Sequence, residues 1–285
     1  MLSTSQAFYQ LKNNLQPLYD DREAAAIAHE LMEHLTGRNK TDRLIYKDTP
    51  LTTEQQQTYD NATNDLLRGR PLQYVVGNAW FMGRQYVVNE NVLIPRPETE
   101  ELAQWIIDDQ KNSPPFRLLD IGTGSGCLPV SLKLAMPQAT VTGCDISEGA
   151  LGVAAANAHR LGAKVHFVQL DFLNEKVRTA MGKYDVLVSN PPYIPLAEQE
   201  RIHTNVKDHE PNIALFVPDN DALVFYKAIA QFGHQHLSPN GYIYCELDAA
   251  HAHECKELFE AEDYSNVQLR QDMNGHWRML KAQAP

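Results

Sequence analysis

Four short apolar runs, each closed by polar or Gly-rich punctuation and separated by helical pattern, constrain this 285-residue chain more than any other feature. The first, Phe116 to Ile121, enters the turn Gly122-Thr123-Gly124-Ser125-Gly126 and then a helical stretch from Cys127 to Met136. The second, Thr140 to Asp145, ends in a carboxylate, and the third, Val165 to Leu170, is followed by Asp171-Phe172. The fourth, Tyr184 to Ser189, is followed by Asn190-Pro191-Pro192-Tyr193. Near-continuous apolar strands alternating with helices from Glu98 onward predict an α/β fold on a parallel sheet covered on both faces. In an open sheet of that kind a ligand sits beyond the carboxyl ends of the strands, which is where all four motifs fall.

The Gly-rich turn narrows the ligand, because glycines let backbone approach a bound group closely at the entrance to a helix. A dinucleotide fingerprint needs its third glycine one position later; here the glycines fall at 122, 124 and 126 and residue 127 is Cys, which argues against NAD or FAD. No Gly-Lys-Ser/Thr follows, so nothing holds a triphosphate with its magnesium. Asp145, roughly 20 residues past the turn, is placed to accept both ribose hydroxyls of an adenosine ligand. Asp171 is placed to accept from an adenine amine, and Phe172 to stack on the base. Taken alone, each acid reads more simply as a helix cap or turn residue. Their succession on neighbouring strand ends is what points to a ligand.

Asn190-Pro191-Pro192-Tyr193 suggests the chemistry. Two prolines fix φ and remove two N–H donors, so the rim presents the Asn190 side-chain carbonyl and the Pro191 backbone carbonyl as acceptors. Two such acceptors hold both hydrogens of a planar NH2 group while its nitrogen faces an electrophile. Methylation of an amide or amino nitrogen suits that pattern. Tyr193 is expected to pack against the planar group and keep water out, and Pro192 to keep the rim rigid. By itself the tetrapeptide is equally an ordinary Pro-Pro turn after a core strand.

With these residues in view, the chain resembles the S-adenosylmethionine-dependent methyltransferases of the release factor glutamine type, the PrmC or HemK family. Arg70-Pro71-Leu72-Gln73-Tyr74-Val75-Val76-Gly77, Phe81-Met82-Gly83 and Val92-Leu93-Ile94-Pro95-Arg96-Pro97-Glu98-Thr99-Glu100 are similar to that family's connector. The likeness continues through Glu210-Pro211-Asn212-Ile213-Ala214-Leu215 and Phe225-Tyr226-Lys227 to the chain's end. It implies a Rossmann-like class I methyltransferase sheet over residues 98–285, a small N-terminal helical bundle over 1–72 that docks the substrate, and a β-hairpin connector over 73–97. It implies S-adenosyl-L-methionine as cofactor, S-adenosyl-L-homocysteine as product, and no metal. The cofactor residues so implied are Gly122, Thr123, Gly124, Ser125, Gly126, Asp145, Asp171, Phe172 and Asn190. The implied substrate is the glutamine of the Gly-Gly-Gln motif of peptide chain release factors, held and methylated at Asn190, Pro191, Pro192 and Tyr193. Family members usually carry glycines around Pro218, Asp219 and Ala222, and after the fifth strand where this chain has Asp248, so two loops are expected to depart from the family's conformation. Three other readings share part of the pattern: glutamine methylation of a ribosomal protein, amino-methylation of a flipped or unpaired nucleic-acid base, and a non-catalytic sensor of the methyl donor.

Residues 1 to 70 are helical in pattern, near Ser5 to Leu15, from Asp21 to Leu35 stopped by Gly37, and from Thr52 to Arg68 stopped by Gly69, with a short turn near Thr41 to Tyr46. Thr52 with Gln55 spells a capping box, and Asp20, Asp21 and Glu23 crowd the positive end of the second helix. The β-rich runs Tyr74 to Val76 and Arg84 to Val88 predict a hairpin, and Asn266 to Gln271 with Trp277 to Leu280 a closing one. A formal net charge of −11 repels a nucleic-acid backbone, and residues 1–75, with 8 Lys and Arg against 10 Asp and Glu, form no basic arm. No apolar stretch is long enough to span a membrane and the start is polar, so a cytoplasmic protein is expected. Cys127, Cys144, Cys245 and Cys255 form no C-x-x-C pair, which suggests core thiols in a reducing compartment. His29 and His34 are five apart and cannot share a helical face, and of His251, His253 and Cys255 only the outer two converge, too few for a metal.

Overall fold

Each of the first four helices begins where a side chain takes up free amide hydrogens of the first turn. In the computed structural model, which describes residues 1–285, α1 (Thr4–Leu15) follows Ser3 and reciprocates through Gln6. Asp20 caps α2 (Asp21–Thr36), accepting from the Glu23 amide at 2.8 Å, and Gly37 ends it in the left-handed conformation. The expected short turn is a six-residue helix, α3 (Lys40–Ile45), capped by Asn39. The capping box of Thr52 and Gln55 opens α4 (Thr53–Leu67). Leu11, Leu31, Met32, Tyr59 and Leu66 meet in the core of this unit, where the Tyr59 hydroxyl donates to the Ala7 carbonyl at 2.9 Å. The unit comprises Met1–Asn78 and a later segment, His203–His209, from which Asn205 reaches the Tyr19 hydroxyl.

The run Tyr74 to Val76 is a helix, not a strand. It belongs to α5 (Leu72–Val76), which follows Pro71 and stops at Gly77 with φ 72°. Leu72 and Val76, one helical turn apart, both enter the core of the helical unit, and that burial overrides the strand preference of Tyr74, Val75 and Val76. The hairpin starts later, as β1 (Asn78–Phe81) and β2 (Arg84–Val87), joined through Met82 and Gly83. Both turn residues have positive φ, 49° and 71°, as a two-residue hairpin loop requires.

The second unit, Ala79–Ile202 with Glu210–Pro285, holds the sheet. Along the chain follow α6 (Pro97–Gln110), β3 (Arg117–Ile121), α7 (Cys127–Ala135), β4 (Thr140–Asp145), α8 (Glu148–Leu161), β5 (Val165–Gln169), α9 (Glu175–Arg178) and β6 (Tyr184–Ser189). Then come β7 (Ile194–Pro195), α10 (Thr204–His209, part of the helical unit), β8 (Phe216–Val217), α11 (Val224–His236), β9 (Leu237–Glu246), α12 (Ala252–Ala261), β10 (Ser265–Gln271) and β11 (Trp277–Gln283). The seven-stranded sheet has the order β10-β11-β9-β6-β3-β4-β5. Its strands from β9 to β5 run parallel, while β11 is antiparallel to both neighbours and with β10 forms the expected closing hairpin.

Alternation along the strands splits the core in two. Leu119, Ile121 and Leu187 pack with Phe232 and Phe259 on one face; Leu118, Val186 and Val188 pack with Leu102, Ile106 and Leu128 on the other. The four cysteines are buried and unpaired. No helix is long and apolar enough to cross a membrane.

Fully buried Asn157 of α8 fastens the hairpin to this core. Its carbonyl accepts from the Val87 amide at 2.7 Å, and its amide donates to the carbonyls of Val87 and Ser125, each at 2.9 Å. One side chain thus joins the hairpin to the Gly-rich turn. Asn157→Ala leaves these backbone groups unpaired and should destabilise the protein by about 2–4 kcal/mol. Chemical denaturation checks this, and a loss under about 0.5 kcal/mol, the range of an ordinary surface change, contradicts it.

Candidate active site

β3 and β6 are neighbours although β4 and β5 intervene along the chain, so the strand order reverses between them and their carboxyl ends open a crevice. A cavity of about 360 Å³ lies there, within the range of small-molecule sites. Its wall includes Gly122, Thr123, Gly124 and Ser125, then Asp145, Asp171, Phe172, Asn190, Pro191 and Pro192. Gly126 and Tyr193 are not on it.

The three glycines of the turn serve different needs. All have positive φ, 76°, 51° and 74°. A Cβ on Gly122 or Gly124 would meet no protein atom within 4 Å, so there the space faces the cavity. On Gly126 it would lie 2.9 Å from the Ala154 Cβ, so this glycine admits α8 rather than a ligand.

Asp145 closes the turn. One carboxylate oxygen accepts from the Gly124 amide and the other from the Ser147 amide, both at 2.9 Å. Burial raises its pKa, and those amide hydrogen bonds oppose the rise. A second acid, Asp120, also lines the cavity, 1% exposed, and accepts from the Thr123 hydroxyl at 2.6 Å. Burial pushes its carboxyl up to about 7. Its signal in the sequence is an acid inside an otherwise apolar strand. Asp171 is exposed and accepts from the Leu173 amide at 3.1 Å, capping its own turn. Phe172 is buried with its ring edge-on to Phe232 at 5.2 Å.

On the opposite side of the crevice, the Asn190 Nδ2 turns back into the protein and donates to the Thr99 hydroxyl at 3.0 Å. Thr99 donates in turn to Glu246 Oε2 at 2.6 Å. Both are buried, and they stand 147 residues apart, so no spacing in the sequence joins them. Tyr193 departs from expectation. Just past the two prolines the chain turns to pair Ile194 with Phe216, and the Tyr193 ring packs against the core that contains Tyr226 and Leu247 instead of facing the cavity. Burial pushes its phenol well above the ordinary tyrosine range, with Glu246 adding to the effect.

An ion pair with a buried carboxylate braces the remaining wall. Glu210, 4% exposed, accepts from the Ile94 amide at 3.0 Å and from Arg96 Nη2 at 2.6 Å. It thereby ties Pro95 and Arg96 to Pro211 and Ala214, all four on the cavity. Aspartates satisfy the two atypical loops: Asp219 accepts from the Ala197 amide at 2.6 Å, and Asp248 from the Ala250 amide and the His251 ring.

The sheet order and the strand-end crevice define a class I methyltransferase fold. Residues 102–209 match the Methyltransferase small domain family, and residues 6–77 match the PrmC N-terminal domain. A methyltransferase from Pyrococcus furiosus shares the fold with a TM-score of 0.51 at 18% identity, over 79% of this chain and 98% of that one. The release factor glutamine methyltransferase of Flavobacterium psychrophilum is 36% identical over 94% of both chains. That of Bacteroides thetaiotaomicron is 38% identical, over 95% of this chain and 97% of its own. The chain belongs to the release factor glutamine methyltransferase family, as its motifs led us to expect.

Asp120 and Glu246 make stability depend on pH. Burial pushes both to about 7, from 3.8 and 4.5; around Glu246, Glu98 adds to the rise while Thr99, Arg278 and Arg96 oppose it. A raised carboxyl holds its proton in the native state after the unfolded chain has released it. Its stabilising contribution is therefore complete below the unfolded value and lost as pH rises through about 7. Glu246→Gln stays neutral throughout. Relative to wild type the variant should gain about 3 kcal/mol between pH 4 and pH 8. Denaturation at both pH values checks this, and a pH-independent difference contradicts it.

Proposed function

We propose that this chain transfers a methyl group from S-adenosyl-L-methionine to the side-chain amide nitrogen of a glutamine, that of the Gly-Gly-Gln motif of peptide chain release factors. The observation that carries the reading is that Asn190 and Pro191 share one cavity with Gly122, Gly124 and Asp145. Two relatives that match nearly end to end are named for that activity, which supports the same substrate here.

The residues fit the cofactor. Gly122 and Gly124 leave open space on the cavity side of the turn. Each Asp145 oxygen has one backbone partner and a further lone pair for a ribose hydroxyl. Asp171 and Phe172 lie on the wall for the base. When bound, S-adenosyl-L-methionine supplies an electrophilic sulfonium methyl and leaves as S-adenosyl-L-homocysteine.

An amide nitrogen is a poor nucleophile because its lone pair is delocalised into the carbonyl. Asn190 Oδ1 and the Pro191 carbonyl, accepting its two hydrogens, localise that lone pair and aim it at the incoming methyl, which is orientation and electrostatics rather than base catalysis. The nitrogen sheds its surplus proton after transfer, so no base is needed beforehand. The helical unit docks the release factor, contact with nucleic acid plays no part, and the enzyme works in the cytoplasm beside the translation machinery.

The deciding experiment is mass spectrometry of a purified release factor incubated with this protein and S-adenosyl-L-methionine. One added methyl on the Gly-Gly-Gln glutamine is the expected result; methyl appearing only on a ribosomal protein or on nucleic acid overturns the reading. Two substitutions separate binding from chemistry. Asp145→Ala removes a charged acceptor worth about 1.5–3 kcal/mol and should weaken cofactor binding by calorimetry. Asn190→Ala should bind cofactor nearly as well but lose roughly 100-fold in turnover; the opposite pattern contradicts both assignments. A short Gly-Gly-Gln peptide lacks the docking contacts and should show a kcat/KM at least about 100-fold below that of the folded factor. Equal efficiencies would remove the docking role.

A further inference from the structure

We propose that Thr99 and Glu246 are positioning residues for methyl transfer: the chain of hydrogen bonds Asn190–Thr99–Glu246 decides which end of the Asn190 amide faces the substrate. The inference rests on the function proposed above and extends it to two residues that never touch the transferred group.

A carboxamide has a donor end and an acceptor end of nearly the same shape. Only the acceptor end can take a hydrogen from a glutamine NH2. If Asn190 presented its own NH2 to the cavity, two donor groups would face each other and the substrate nitrogen would be turned away.

The choice is made by counting hydrogens. A threonine hydroxyl has one, and Thr99 donates it to Glu246 Oε2 at 2.6 Å. A carboxylate, or the carbonyl oxygen of the neutral acid, accepts that hydrogen alike. The Thr99 oxygen is then restricted to accepting, and Asn190 Nδ2 donates to it at 3.0 Å. Oδ1 is therefore the end left for the substrate. A flipped Asn190 would set Oδ1 against an oxygen with no hydrogen to give.

Both supports are rigid. Thr99 is buried in the first turn of α6, and Glu246 is buried at the end of β9, where its backbone carbonyl accepts from the Tyr226 hydroxyl at 3.0 Å. Thr99 also stands on the cavity wall beside Asn190, so the relay runs from the rim straight into the core. A site whose donors and acceptors are held by regular elements loses little to reorganisation during the reaction.

The test is a double-mutant cycle on full-length protein, with the release factor as substrate. Thr99→Val keeps the side chain's shape and removes its hydroxyl. It should lower kcat by about 10-fold or more, the scale of a slightly misplaced group, with cofactor affinity by calorimetry within about twofold of wild type. Thr99→Ser, which restores the hydroxyl, should recover most of the rate. In an Asn190→Ala background, Thr99→Val should cost almost nothing further, because Thr99 acts only through Asn190. Equal losses in both backgrounds, or full activity of Thr99→Val, overturn the inference while leaving the proposed function standing. A wild-type protein that leaves the release factor unmethylated overturns the function and this inference with it.

Discussion

Parallel pairing of β3 with β6 is the constraint on which the rest of the second unit depends. The register matches Leu118 with Val186 and Ile121 with Ser189, and the Ser189 hydroxyl ties its strand end to the Ile121 carbonyl at 2.7 Å. One residue beyond each of those last partners, the chain delivers Gly122 on one side and Asn190 on the other. A slip by one residue would reverse which side chains meet which half of the core, and Leu118 and Leu119 show how strictly the halves are kept apart. Hydrophobic sorting along two strands therefore sets the distance between the two halves of the site, although neither half is itself apolar.

The polar layer above the sheet is held by few groups, each with several duties. Asn157 fastens the hairpin and the Gly-rich turn together; Glu210 fastens the segment before α6 to the segment after α10; Asp145 fastens the turn to the end of β4. Asp120 and Glu246 are buried acids whose neutral forms the fold prefers. Asp120 lines the cavity and Glu246 stands behind its wall, one hydrogen bond from Thr99, so two acids with displaced protonation are a stability cost borne beside the crevice.

Much of this was legible in the sequence because it is local. A near-continuous apolar run ending in Gly, Asp or Asn marks a buried parallel strand and the end that opens on the cavity, and β3, β4 and β6 lie where those runs are. Caps at Asp20 and Thr52 are equally local, being defined by the next three residues. What stayed hidden depends on distant neighbours. Tyr74, Val75 and Val76 have strand character, but the helical core takes Leu72 and Val76 and turns the segment into a helix. Tyr193 is adjacent in sequence to the rim, yet its ring packs against the core that contains Tyr226 and Leu247. Thr99 and Glu246 read as a residue of a helix start and the last residue of a strand until the fold brings them to 2.6 Å.

The helical unit is not a continuous stretch of chain, since it takes in His203–His209 as well as Met1–Asn78. Asn205 meets Tyr19 across 186 residues of sequence and packs 3.2 Å from where a side chain on Gly69 would begin. During vectorial synthesis the first 78 residues emerge long before that segment exists. The bundle waits, incomplete, until the four strands from β3 to β6 and the Asn190-Pro191-Pro192 rim have been made, so that its final closure comes only after these elements that line the cavity.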